Sequence, residues 1–218
     1  MMGYDIDDMI RILRKTTAGL KKPIVTEIAE IDRNPFYILI STVISLRTKD
    51  EVTREASARL FELAKTPQTM EKLPLKEIEK AIYPAGFYHN KARTIKELSK
   101  TLLEKYDGIV PKTMDELLAL KGVGRKTANL VLTLGYGIEG ICVDTHVHRI
   151  VNRWGYISTK TPNETEFALR EKLPRKYWIE FNDLLVTFGQ NICKPISPFC
   201  SRCPIHDYCM RIGIKIHR

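Results

Sequence analysis

Residues 115–134 read Asp-Glu-Leu-Leu-Ala-Leu-Lys-Gly-Val-Gly-Arg-Lys-Thr-Ala-Asn-Leu-Val-Leu-Thr-Leu. Two helical patterns flank Lys121-Gly122-Val123-Gly124. The glycines permit a tight turn and a close approach of backbone to a ligand. The turn feeds a helix N-terminus, whose free N–H groups can receive a phosphate. It is not a nucleotide-binding glycine loop, because no strand precedes it and the glycine spacing is wrong. Taken alone, Gly-x-Gly leaves the plainer reading ahead: an ordinary corner between two helices.

Downstream, four of the five cysteines sit as Cys193-x6-Cys200-x2-Cys203-x5-Cys209. Disulfides suit small secreted domains whose cores are too small, whereas 218 residues can bury a core of their own. Pairing these four would also leave Cys142 over. The first residues, Met1-Met2-Gly3-Tyr4-Asp5, form no signal peptide. Structural zinc sites usually pair two short Cys-x2–4-Cys knuckles, and only Cys200 and Cys203 make one. An iron–sulfur cluster is larger than one ion and accepts ligands from a looser loop. Spacing therefore prefers a cluster and leaves zinc open. Cys142 lies in apolar Gly140-Ile141-Cys142-Val143 and reads as a buried, inert thiol.

The chain carries 35 Lys and Arg against 26 Asp and Glu, a formal charge of +9. Such an excess is either a solvated basic surface or an electrostatic footprint for phosphates. Lys21-Lys22, Lys91-x-Arg93, Arg125-Lys126 and Arg175-Lys176 cluster as the second reading requires. No apolar run reaches the roughly 18 residues of a membrane span; the longest, Pro35 to Leu46, reads as a buried helix. No repeat or low-complexity segment stands out.

The remaining pattern is helical, with no persuasive period-2 run. Helices are expected over 5–18, from Pro35 with Asn34 as cap, and over Asp50 to Ala64, stopped by Thr66-Pro67. Others are expected over Leu75 to Ile82, Lys91 to Tyr106, and from Thr113 through Leu120 with Glu116 completing a capping pair. Arg125 to Leu134, Thr145 to Trp154, Glu164 to Lys172 and Tyr177 to Asn191 complete the all-α reading.

Three motifs together make the reading specific. Leu120 to Ala128 resembles the helix-hairpin-helix of the endonuclease III family of DNA glycosylases. Val143-Asp144-Thr145-His146-Val147-x-Arg149 resembles that family's catalytic-aspartate motif, and the cysteine spacing resembles its [4Fe–4S] loop. The likeness continues through Asn34-Pro35-Phe36, Thr48-Lys49-Asp50 and Gly86-Phe87-Tyr88-x-Asn90-Lys91-Ala92, so it covers nearly the whole chain. It implies a two-lobed fold: a six-helix barrel lobe over 28–138, and a cluster lobe from 1–27 and 139–218 held by Cys193, Cys200, Cys203 and Cys209. It also implies a monomer in the cytoplasm, associated with the nucleoid, that acts on damaged double-stranded DNA and not on membranes.

The implied reaction is removal of oxidised pyrimidines followed by strand cleavage at the abasic site. A lysine attacks the sugar C1′ and forms a Schiff base that permits elimination of the 3′ phosphate. The resemblance assigns this to Lys126, whose place near a helix N-terminus beside Arg125 disfavours its charged form. Asp144, 18 residues on, is implied to assist deprotonation and to stabilise positive charge on the sugar; it is also placed to cap a helix. His146 and His148 read as structural or DNA-facing, not as metal ligands.

Base extrusion leaves a gap in the duplex, and the family fills it from two loops, matched here by Arg47 and Phe87. DNA contacts are further expected from Lys91, Lys121, Gly122, Val123, Gly124 and Arg125, and from Lys194 and Arg202, with Arg211 beside them, in the cysteine loop. Two positions depart from the family: many relatives carry glutamine at Arg47, and proline is common at Lys121. Lys126 also argues against the adenine-mismatch branch, which usually lacks it, and the thymine- or uracil-mismatch branch, which often has tyrosine there.

Overall fold

The computed structural model describes residues 5–218, so the N-terminal reading of Met1 to Tyr4 lies outside the described residues. Among these there are helices and turns and no strand. They divide into two compact units, Ile24–Ile138 and the described part of Met1–Pro23 with Glu139–Arg218.

The unit Ile24–Ile138 is built on α3 (Pro35–Ser45). Asn34 caps it by accepting from the Phe36 amide, and Pro35 stands at its first turn. Eight of its residues, Phe36 and Ile38 to Ile44, are buried, so the apolar run is a core helix as read. Around it lie α2 (Ile24–Ile31), α4 (Asp50–Leu63), α7 (Tyr88–Tyr106) and α9 (Arg125–Leu130), all in contact with it. α5 (Pro67–Lys72) and α6 (Leu75–Ile82) pack on α7, and α8 (Met114–Ala119) packs on α9. The unit begins at Ile24 and not at residue 28, because α2 starts there and packs on α3 and α4.

Two of these helices were not expected. α2 is short, with no acidic or polar cap to announce it. α5 follows Thr66-Pro67, read as a stop. The same pair also starts a helix: Thr66 Oγ1 accepts from the Thr69 amide, and Pro67 sits where its missing N–H costs nothing. α7 starts three residues before Lys91, behind Phe87. The expected helix from Arg125 to Leu134 is α-helical to Leu130 and then widens to a π turn over Val131–Gly135.

The other unit packs α1 (Ile6–Thr17), α10 (Thr145–Trp154), α11 (Pro162–Lys172) and α12 (Trp178–Asn191). Met9, Ile10 and Leu13 of α1 meet Val147, Ile150 and Trp154 of α10 and Phe181, Leu185 and Phe188 of α12 in one core. α11 begins at Pro162, two residues ahead of Glu164, because Thr161 caps it. Beyond α12, residues 192–218 contain only two three-residue 3₁₀ turns, Cys200–Arg202 and His206–Tyr208.

Candidate functional site

The hairpin between α8 and α9 is closed by the Val123 amide, which donates to Leu120 O at 3.1 Å. Gly122 has φ +86°, and a Cβ there would meet Thr94 Cγ2 at 2.7 Å. Glycine is thus required twice, by the left-handed backbone and by the approach of α7. Lys121, Gly122 and Gly124 are exposed, whereas Val123 is buried and anchors the turn. Lys121 Nζ lies 3.0 Å from Glu97, an exposed pair too weak to withhold the charge from a phosphate. Lys126 and Arg125 stand half-buried in the first turn of α9, immediately after the glycines.

Asp144 is the N-cap of α10. Its Oδ1 accepts from the His146 amide at 2.8 Å and the Val147 amide at 3.0 Å. His146 Nδ1 lies 3.1 Å from Arg149 Nη2, and His148 Nδ1 lies 2.6 Å from Thr165 Oγ1. Their partners differ.

Arg47 and Phe87 both have left-handed backbones, φ 52° and 58°, uncommon for side chains of their size. Both side chains are exposed, with the Arg47 guanidinium 5.8 Å from the Phe87 ring centre. Lys91, expected at the DNA, is turned inward instead and is 6% exposed. Its ammonium donates to Ile44 O and Leu46 O, both at 2.6 Å, and to Thr48 Oγ1 at 2.7 Å. These acceptors take all three N–H donors, so none is left to reach a phosphate. Burial pushes the group down to about 8.

Cys193 and Cys200 are buried and Cys203 and Cys209 half-buried, all as free thiols. Burial, then the neighbouring sulfurs, push Cys203 up to about 12. Cys200 and Cys209 are raised first by burial as well. Among the described residues no three His, Cys, Asp or Glu side chains stand close enough to hold a single metal ion. The loop is tied to the end of α10: the amides of Met210 and Ile212 donate to Trp154 O and Arg153 O. Arg153 donates to Lys194 O at 2.7 Å and to Cys193 Sγ at 3.4 Å, and Arg149 donates to Cys193 O at 2.9 Å. Lys194 and Arg202 stand over the Phe199 ring at 5.4 and 4.0 Å, and Arg211 Nη1 lies 2.8 Å from His206 Nε2.

The sequence profile of the HhH-GPD superfamily of base excision DNA repair proteins matches residues 40–175. The chain belongs to that superfamily. Within it, the chain is 48% identical over 178 residues to Endonuclease III of Thermotoga maritima, covering 82% of this chain and 84% of that one. It is 45% identical to the chloroplastic Endonuclease III homolog 2 of Arabidopsis thaliana, over 80% of this chain and 47% of that longer protein. A solved structure of a trapped endonuclease III–DNA covalent intermediate superimposes with TM-score 0.85 at 35% identity, over 97% of each chain. The chain is therefore an endonuclease III family member, a DNA glycosylase and abasic-site lyase of base excision repair. No helix among the described residues is long and apolar enough to cross a membrane.

Three residues beyond the sequence reading of this HhH-GPD chain belong to its cysteine region. Arg149 stood in the aspartate motif without a role, Arg153 one turn on was not singled out, and Arg218 lies 4.1 Å over Phe199. The i, i+4 spacing of Arg149 and Arg153 on α10 was visible in the sequence; the loop they hold was not.

Proposed function

We propose that Lys126 is the nucleophile and Asp144 the charged assistant in excision of oxidised pyrimidines from duplex DNA. The observation that carries the reading is the placement of Lys126 in the first turn of α9, directly behind an exposed glycine turn. Phosphate oxygens suit the hairpin's backbone and the helix end, which brings the sugar to the lysine. The neutral amine attacks C1′, and the C1′–N bond breaks with its electron pair leaving on the base, which takes up a proton. The attached amine then loses a proton, and its lone pair forms the C1′=N bond as the C1′–O4′ bond breaks, O4′ taking up a proton and the sugar ring opening. Removal of a C2′ proton expels the 3′ phosphate by β-elimination. The Asp144 carboxylate accepts the proton that frees the amine and offsets positive charge on the sugar. Damaged duplexes carrying thymine glycol, a mismatch or an abasic site, compared side by side, test the substrate class. Excision should be fastest on thymine glycol, and excision confined to the mismatch would overturn the assignment.

Capping and catalysis by Asp144 separate on substitution. Asp144→Asn keeps an acceptor for the His146 and Val147 amides, so stability should stay within about 0.5 kcal/mol. Single-turnover excision should nevertheless fall by about 10² to 10⁴. Asp144→Ala should lose the cap too, about 1 kcal/mol in thermal denaturation. Full activity in Asp144→Asn would leave the carboxylate a cap alone.

The same reading assigns Cys193, Cys200, Cys203 and Cys209 to a [4Fe–4S] cluster. The fit rests on the donor set. Four cysteine sulfurs feel one another's charge, and their wide loop spacing suits a polynuclear centre more than the paired knuckles of zinc. Arg153 is placed to donate to the Cys193 thiolate. Bound, the cluster supplies a four-way covalent cross-link in a segment that lacks its own core. Lys194 and Arg202 are then cations available to the phosphate backbone, and the protein acts in the cytoplasm as a monomer on nucleoid DNA. Affinity for duplex should fall linearly on a log scale with salt, and Arg202→Ala should flatten that slope by about 1. An unchanged slope would remove Arg202 from the interface.

A further inference from the structure

We propose that Lys91 is a positioning residue, whose buried ammonium, acting through Thr48, locks the Arg47 and Phe87 loops into one rigid insertion element. The inference rests on the assignment of those two side chains to the gap left by the extruded base.

The bonding runs unbroken from one loop to the other. Lys91 donates to Ile44 O and Leu46 O at the end of α3, directly ahead of Arg47. Its third proton goes to Thr48 Oγ1, directly after Arg47. That hydroxyl accepts in turn from the Gly86 amide at 3.1 Å, the residue before Phe87. Gly86 also lets the loops touch: a Cβ there would stand 2.7 Å from the Arg47 backbone oxygen. The chain of contacts therefore brackets Arg47 on both sides and reaches Phe87 through its neighbour.

What it brackets is otherwise unfavourable. Both residues hold left-handed backbones, which persist only where the surroundings over-determine them. Burying a cation is costly unless its protons are accepted. All three Lys91 donors go to neutral oxygens at the end of α3 and in the loop after it, so they are spent on this conformation. A helix cap needs only the two carbonyls; the Thr48 bridge extends the ammonium's reach to the second loop. Leu46, Arg47, Phe87 and Lys91 together line an open cleft of about 390 Å³ beside the paired side chains. Rigid pairing keeps that cleft open and spares the loops an ordering cost on binding.

Thr48→Val breaks the bridge and leaves both carbonyl caps of Lys91 in place, while Lys91→Met removes the ammonium. Each full-length, cluster-loaded variant is titrated against duplex holding a non-cleavable abasic analogue and against undamaged duplex. Preference for the analogue should drop by about tenfold in Thr48→Val, as for one charge-assisted hydrogen bond. The loss should appear in KM, with the single-turnover rate at saturating enzyme retained. Adding Arg47→Ala should cost less than about twofold more, because the guanidinium is already misplaced. A Thr48→Val protein with full preference, or losses that multiply with Arg47→Ala, would overturn the role of Lys91. Should Lys91→Met not fold, Thr48→Val alone decides. If Arg47→Ala and Phe87→Ala themselves keep full preference, the gap-filling assignment falls, and the proposal with it.

Discussion

Lys126→Gln is expected to abolish borohydride trapping of the protein on damaged or abasic duplex. Glutamine matches lysine in helix propensity and keeps a polar side chain in the half-buried first turn of α9. Stability should therefore stay within about 0.5 kcal/mol. What disappears is the primary amine, without which no imine forms and borohydride has nothing to reduce. The loss should be on the order of 10⁴-fold or more in strand cleavage, the scale on which a covalent nucleophile is missed. Duplex affinity should remain within a few-fold, because the hairpin proposed to meet phosphate is unaltered. Lys91 makes the test sharper. Burial pushes it to about 8, so titration alone would nominate it as the reacting amine. Geometry excludes it: the group is 6% exposed and its three protons are taken by Ile44 O, Leu46 O and Thr48 Oγ1. Peptide mapping of the trapped complex should therefore place the adduct on Lys126. An adduct that survives in Lys126→Gln would sink the assignment.

Cys203→Ser is expected to release the metal centre and unfold residues 192–218. The segment has little else to fold around. Ile205 is buried, but Ile196 is 89% exposed and Met210, Ile212 and Ile216 are exposed too. Its regular structure is two three-residue turns. In the metal-free chain burial holds Cys203 at about 12, so near neutral pH it carries a proton, which a ligand must lose. A bound metal centre would make the buried sulfurs favourable. Wild-type protein should contain about four irons and four sulfides per chain with visible absorption. Cys203→Ser should lose most of both and become susceptible to limited proteolysis after α12. Cys142→Ala is the control, since Cys142 is 2% exposed in the wall beside α12 and outside the loop. Stoichiometric zinc in place of iron would overturn the cluster.

Local signals in the sequence carried most of the helices. Asn34-Pro35, Thr113 with Glu116, and Asp144-Thr145 each place a cap beside a periodic run, and each cap is formed. Where the rules compete, the reading failed: Thr66-Pro67 stops one helix and starts the next, and only packing of α5 on α7 decides that both occur. Lys91 failed for a different reason. Its acceptors lie 43 to 47 residues away in the chain, and a lysine read by charge alone looks like a phosphate ligand. Arg153, which the sequence did not single out, is held in the same way in the other unit, donating to carbonyls of the cysteine loop.

The sequence by itself determined the all-helical class, the hairpin with its lysine, the aspartate that opens α10 and the four-cysteine run, because each is set by spacing within one short segment. The tertiary structure decided which cations face solvent and which hold the scaffold. Lys121 stays outward beside Glu97, while Lys91 and Arg153 are drawn in by backbone carbonyls that only folding brings within reach. It likewise decided that Arg47 and Phe87 meet through Thr48 and Gly86. That contact depends on a missing Cβ and a shared hydroxyl, and local spacing encodes neither.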